Sequence, residues 1–242
     1  TINLYIGVGK NVNAEKGNDT FNIFSGDSYL LFGGDGNDSF TMENGNNHYL
    51  WGNIGNDIFN IKGGSNSTFD GGAGNDIYNL YKSGINNTLK DDSGKNTYNI
   101  KSGYTGSTHI ADTTNSSKLV FDKNLKLSSS DSTDSNTVSL YGKFSADESY
   151  EDIRLVFDMN SEIGDNAVEG NVVFIDNAEN MKYTIGKKNY KLDLSELSST
   201  VATWLNGKGY ADTNEVFANE KTGGDIVNLV QIFEENTARC FI

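Results

Sequence analysis

The chain has 242 residues, including 27 Gly, no Pro and a single Cys, and a formal charge of −14. That acidity argues against a nucleic-acid backbone or an anionic membrane surface as partner, because both are held by Lys and Arg, and it suits cations. Cys240 alone excludes an intrachain disulfide or a multi-cysteine zinc site, and no apolar run approaches the roughly 18 residues of a membrane span.

In chain order, the first segment is TINLYIG. It aligns with TFNIFSG, SFTMENG, IFNIKGG, IYNLYKSG and TYNIKSG further on. Each reads as a short strand whose apolar residues, two apart, face one side. Phe21 and Ile23 form such a pair, as do Phe40 and Met42, Phe59 and Ile61, Tyr78 and Leu80, and Tyr98 and Ile100. The chain thus begins in mid-unit, which predicts further repeats upstream.

Between these strands lie two kinds of turn. One carries a glycine followed by Asn and Asp: Gly17, Gly36, Gly55 and Gly74, spaced by 19, with a weaker copy at Gly94. The aspartates are Asp19, Asp38, Asp57 and Asp76, and Asn96 stands in the fifth copy. The other turn carries Gly7, Gly26, Gly45, Gly64, Gly84 and Gly103. A second apolar column precedes each Gly-Asn-Asp turn: Val12, Leu31, Leu50, Phe69 and Leu89. A fixed period with aligned columns predicts stacked units rather than separate hairpins. One unit cannot bury its apolar face, but five stacked units can. The expected fold class is therefore mainly β, a parallel solenoid with its turns lined up along two edges.

Stacking would bring the aspartates of adjacent turns together on one edge. Such a ladder of like charges calls for a hard divalent cation with oxygen ligands, and calcium tolerates the flexible geometry better than magnesium. Zinc or copper would want His or Cys, which this edge lacks.

GGDGNDSFT (Gly33–Thr41) and GGAGNDIYN (Gly71–Asn79) match the nonapeptide G-G-x-G-x-D-x-U-x, and the region resembles the calcium-binding RTX (repeats-in-toxin) β-roll. GNIGNDIFN departs only at Asn53, AEKGNDTFN keeps the second half, and DDSGKNTYN has lost the key aspartate. The resemblance covers about residues 14–99. The long period is similar to the repeats at the C-terminal ends of large multifunctional RTX toxins. The resemblance implies a β-roll with calcium between neighbouring turns. Its implied ligands are Asp19, Asp38, Asp57 and Asp76, with turn carbonyls from Gly17, from Gly33, Gly34, Asp35 and Gly36, from Gly52, Asn53, Ile54 and Gly55, and from Gly71, Gly72, Ala73 and Gly74. Asp92 of the degenerate copy joins that set. Three sites between four turns follow, and a fourth between Asp76 and Asn96 lacks one aspartate. The standard roll repeats the motif on both edges. Here the opposite edge offers Ser28, Asn47, Asn66 and Asn86 at the sixth-like position, so calcium is expected on one edge only and an amide ladder on the other.

Beyond about Asp112 the glycine period fades. KLVFD, NTVSLYG, DIRLVFDM and NVVFID read as strands, and MKYTIGKKNYKLDL as a hairpin around Gly186. Leu194, Leu197, Val201, Trp204 and Leu205 share one helical face, and Ile226, Leu229, Val230 and Phe233 another. The expected organisation is a roll over residues 1–112 and a C-terminal capping region over 113–242. By resemblance, that region would carry the signal for type I secretion.

No catalytic constellation is legible. H-E-x-x-H and G-x-S-x-G are absent, Cys240 has no catalytic setting, and His48 and His109 read as structural and surface residues. Trp51 and Trp204 are expected in core or cap packing rather than on a sugar. The expectation is a non-enzymatic, secreted calcium-binding module that folds on extracellular calcium and supports type I secretion of its parent toxin or adhesin. The alternative is recognition of a glycan or host surface.

Overall fold

The structure is a computed structural model. It describes residues 1–81, 84–101, 104–114, 116–121, 126–134, 137–143, 153–158, 171–175, 182–185 and 188–191. The two helical patterns expected after residue 192 lie outside the described residues, and no helix occurs among them.

Thirteen strands build the repeat region: β1 (Ile2–Leu4), β2 (Asn11–Asn13), β3 (Thr20–Ile23), β4 (Leu30–Asp35), β5 (Ser39–Met42), β6 (Tyr49–Ile54), β7 (Ile58–Ile61), β8 (Thr68–Ala73), β9 (Ile77–Leu80), β10 (Asn87–Asp91), β11 (Thr97–Ile100), β12 (Ser107–Asp112) and β13 (Lys118–Phe121). The odd strands stack in parallel in one sheet and the even strands in the other. The result is a parallel β-solenoid of about six turns. Register follows the period without slippage: Phe21 lies beside Phe40, Phe40 beside Phe59, and Phe59 beside Tyr78.

The alternation of each strand places its apolar residues between the sheets. Phe21, Ile23, Phe40, Met42, Phe59 and Ile61 line one wall and Leu31, Leu50, Phe69 and Leu89 the other, all essentially inaccessible. Burying each such side chain contributes about 1.5–3 kcal/mol. The aromatic column is continuous. Phe21, Phe40, Phe59, Tyr78 and Tyr98 stack with centroids 4.7 to 5.0 Å apart. That spacing matches the roughly 4.8 Å between neighbouring strands, so one ring per turn fits without adjustment.

The stack runs on past Asp112. The later strands are β14 (Lys126–Asp134), β15 (Thr137–Lys143), β16 (Ile153–Asp158), β17 (Asn171–Ile175), β18 (Lys182–Ile185) and β19 (Lys188–Lys191). Strand β17 pairs in parallel with β12, and β18 with β13. The expected hairpin is β18–β19, and antiparallel pairing also joins β14 to β15 and β15 to β16. Ile110 extends the Leu89 column and is fully buried, as are Val173 and Ile175 on the next strand.

One expectation is corrected by the alternation itself. Trp51 follows the inward Leu50, so it faces outward, half-buried, rather than into the core. It stacks on Phe32 at 4.6 Å and tilts against Tyr49 at 3.7 Å. His109 is half-buried on β12.

Candidate metal edge

The Gly-Asn-Asp turns are held by two ladders of opposite polarity. On the outside, each Asn side chain accepts a main-chain N–H from the next turn: Asn18 Oδ1 from Asn37, Asn37 from Asn56, and Asn56 from Asn75, at 2.7 to 2.8 Å. On the inside, each aspartate accepts from the preceding turn. Asp38 Oδ1 takes the Asp19 N–H at 2.6 Å, Asp57 the Asp38 N–H at 2.6 Å, and Asp76 the Asp57 N–H at 2.7 Å.

These hydrogen bonds use one oxygen of each carboxylate. Asp38, Asp57 and Asp76 are at most 1% exposed, and the second oxygen, Oδ2, has no hydrogen-bond partner in any of the three. A buried carboxylate with half its acceptors unmet is costly, and burial accordingly pushes all three toward protonation. Asp57 is raised from 3.8 to about 7, first by burial and then by its charged neighbours Asp76 and Asp38. Asp19, at the start of the column, is only half-buried.

Each free oxygen faces a glycine of its own turn. A Cβ at Gly33 would overlap Asp38 Oδ2 and lie 2.8 Å from the Gly52 carbonyl oxygen. A Cβ at Gly52 would overlap Asp57 Oδ2 and lie 2.6 Å from the Gly71 carbonyl oxygen. Carboxylate and next-turn carbonyl therefore converge on one spot, which glycine keeps open. Gly52→Ala is expected to destabilise the protein by at least about 1–3 kcal/mol, as overpacking does, and to lower the melting temperature. An unchanged melting temperature would show that the turn opens freely.

The remaining expected ligands occupy the turns as follows. The carbonyls of Asp35, Ile54 and Ala73 already accept main-chain N–H groups from Gly17, Gly36 and Gly55 at 2.8 to 2.9 Å. The carbonyls of Gly17, Gly36, Gly55 and Gly74 abut the glycine one turn on, at Gly36, Gly55, Gly74 and Gly94, where no side chain fits. Glu15, Gly34, Asn53 and Gly72 share a left-handed position with φ of 67°, 107°, 76° and 87°, which explains why Asn is tolerated at 53. Asp92 is exposed, and the side chain that reaches toward Asp76 is that of Asp91.

The opposite edge follows the same rule with other chemistry. Its inward residue is one position later than the sequence reading placed it: Ser28, Asn47, Asn66 and Asn86 hold left-handed φ of 53° to 59° instead. The acceptors are His48 Nδ1 for the Tyr29 N–H at 3.1 Å, Ser67 Oγ for the His48 N–H at 3.1 Å, and Asn87 Oδ1 for the Ser67 N–H at 2.9 Å. Of the amide ladder, Asn86 Nδ2 reaches Asn66 Oδ1 at 3.4 Å. Among the described residues, no carboxylate enters that inner column. The Tyr29 hydroxyl and His48 Nε2 are buried without partners, and the rings stack at 4.7 Å. With Nδ1 accepting a hydrogen bond, the neutral ring carries its proton on Nε2, and burial holds His48 in that neutral form.

Among the described residues, no three His, Cys, Asp or Glu side chains converge. A cation on the aspartate edge would thus be held by one or two carboxylates together with main-chain carbonyls, a donor set that fits calcium and not zinc. Comparisons with protein-family models, with curated proteins and with solved structures find no match to this chain.

Proposed function

We propose that this solenoid is a calcium-binding module of the RTX β-roll kind, in which calcium binding completes folding. The observation that carries the reading is the row of three buried, unpartnered carboxylate oxygens on Asp38, Asp57 and Asp76, repeated at each turn beside a glycine. Without cations these charges oppose the stack. With calcium, each becomes a ligand, and the roll gains about 2.7 kcal/mol per site when calcium exceeds its dissociation constant a hundredfold.

Calcium is scarce inside a cell and abundant outside. A module of this kind would stay loosely folded before export and close around calcium afterwards. That behaviour suits a secreted bacterial toxin or adhesin carried by a type I secretion machinery, with the residues after 112 as cap and secretion signal. The test is circular dichroism and thermal melting in calcium and in chelator. Calcium should deepen the β signal and raise the melting temperature by many degrees; identical curves sink the proposal.

A second reading has one observation in its favour. Phe32, Trp51 and Tyr49 form an outward aromatic platform, next to a groove of about 880 Å³ lined by Asn13, Glu15, Asp35 and Asn53. Rings flanked by polar side chains suit a sugar face. Saturable glycan binding abolished by Trp51→Ala, with an unchanged calcium response, would support recognition as a further role.

A further inference from the structure

In the fifth unit the columns change. Strand β10 places Asp91 where earlier turns have Gly33, Gly52 and Gly71. The aromatic facing it changes from Phe to Tyr78. A Cβ at Gly71 would have Asp76 Oδ2, Asp91 Oδ2 and the Tyr78 hydroxyl all within 2.6 Å. Three oxygens, from the turn before β9, from β9 and from β10, thus surround one spot inside the roll. Asp76 and Asp91 are both fully buried, and the facing Asp91 carboxyl is the one group among the described residues that comes within reach of Asp76 Oδ2, which is otherwise without a partner. Asp91 Oδ1 accepts the Ser93 N–H at 3.2 Å, and its Oδ2 accepts the Tyr78 hydroxyl at 2.9 Å, a proton that Lys90 O also draws at 3.0 Å. Nearby Asp70 is paired with Lys90 at 3.1 Å, so that lysine is already engaged.

The next turn has the same architecture with different side chains. There Asn96 replaces the aspartate and Asp112 follows Asp91 in the column. Asn96 Nδ2 donates to Ser93 O at 2.9 Å and approaches Asp112 Oδ2 at 3.4 Å, while the Tyr98 hydroxyl donates to Asp112 Oδ2 at 2.8 Å. Amide and carboxylate satisfy each other. One turn earlier the amide is a carboxylate, and two acids face each other with one hydroxyl between them.

We infer that Asp76, Asp91 and Tyr78 form a two-carboxylate calcium site, distinct from the one-carboxylate sites of the earlier turns and closing the calcium-binding part of the roll. It rests on the reading of this edge as calcium-binding. With twice the charge, it is the tightest site of the stack, since ligand charge tunes calcium affinity. It takes the place of the fourth site that the Asp76–Asn96 pair would form.

The test is calcium bound per chain, measured by equilibrium dialysis on the full chain, with folding followed by circular dichroism. Asp91→Asn should remove the tightest binding class, weakening it at least tenfold, and leave the weaker sites. Asp112→Asn, which alters the self-satisfied turn next door, should leave calcium binding unchanged. If Asp91→Asn binds calcium like the parent chain, the two acids merely share a proton and the inference is wrong. Equal losses in both variants would also overturn it, by showing a general effect on the fold. A parent chain that binds no calcium at all overturns the calcium reading of the edge along with this one.

Discussion

Replacing Asp57 with Asn should raise the melting temperature in chelator and shrink the gain that calcium confers. The two carboxylate oxygens of Asp57 have different fates. Oδ1 accepts the Asp38 N–H, while Oδ2 is buried and unpartnered. An amide keeps the first interaction and replaces the orphaned anionic oxygen with a neutral N–H donor. The chain already contains this arrangement: Asn96 accepts the Asp76 N–H at 3.0 Å and donates to Ser93 O within its own turn at 2.9 Å. Ile54 holds the corresponding place in the Asp57 turn. The expected stabilisation is a few kcal/mol near neutral pH, because holding an acid at about 7 rather than 3.8 costs about 1.4 kcal/mol per pKa unit. For a chain of this size that means several degrees. With calcium the sign reverses, since the variant loses a charged ligand. Melting curves of both proteins in chelator and in calcium should therefore cross. A variant less stable than the parent in chelator would show that the buried carboxylate stabilises the metal-free fold.

The parts of the fold that were legible in the sequence all rest on two periods. The 19-residue spacing set the stacking, and the two-residue alternation assigned Phe40 and Leu50 to the interior. The residues whose place differs from expectation are those where the alternation has to be followed further along the strand than the turn motif reaches. Counting back two from Leu31 reaches Tyr29, not Ser28, as the inward residue of the opposite edge. Counting on two from Leu89 reaches Asp91, not Asp92. Stepping one from Leu50 turns Trp51 outward. The continuation through β13 was hidden for another reason: no glycine turn precedes Lys118–Phe121, although Leu119 and Phe121 keep the apolar column. Strands β17 and β18 rejoin the sheets only after the intervening residues have broken the period, so nothing local announces that they stack on β12 and β13. The unmet oxygen of each aspartate was not readable at all. It depends on which of two equivalent oxygens the neighbouring turn occupies, and that is a property of the stack.

In chelator, stability should fall as pH rises from about 4 to about 8, opposite to the usual acid denaturation. Below the ordinary carboxylate range, the buried acids are protonated in both the folded and the unfolded chain, and they cost nothing. As pH passes 3.8, the unfolded chain releases protons that the fold retains, because Asp57 in the fold titrates at about 7 and Asp91 at about 8, with Asp38 and Asp76 also raised, all chiefly through burial. The folded state then binds more protons than the unfolded one, so the unfolding free energy decreases with pH until these groups have ionised, and it levels off above about 8. Calcium competes with the same protons, so the stabilisation it gives should grow over that interval, because its ligands must be deprotonated. Melting in chelator at pH 5, 6.5 and 8 measures the first trend, and the same series in calcium the second. The two curves should lie close together at pH 5 and diverge toward pH 8. Asp57→Asn should flatten the chelator curve by removing one of the titrating groups. A chelator curve that climbs toward pH 8 would mean that these carboxylates are charged and satisfied in the metal-free fold, and the calcium reading would lose its physical basis.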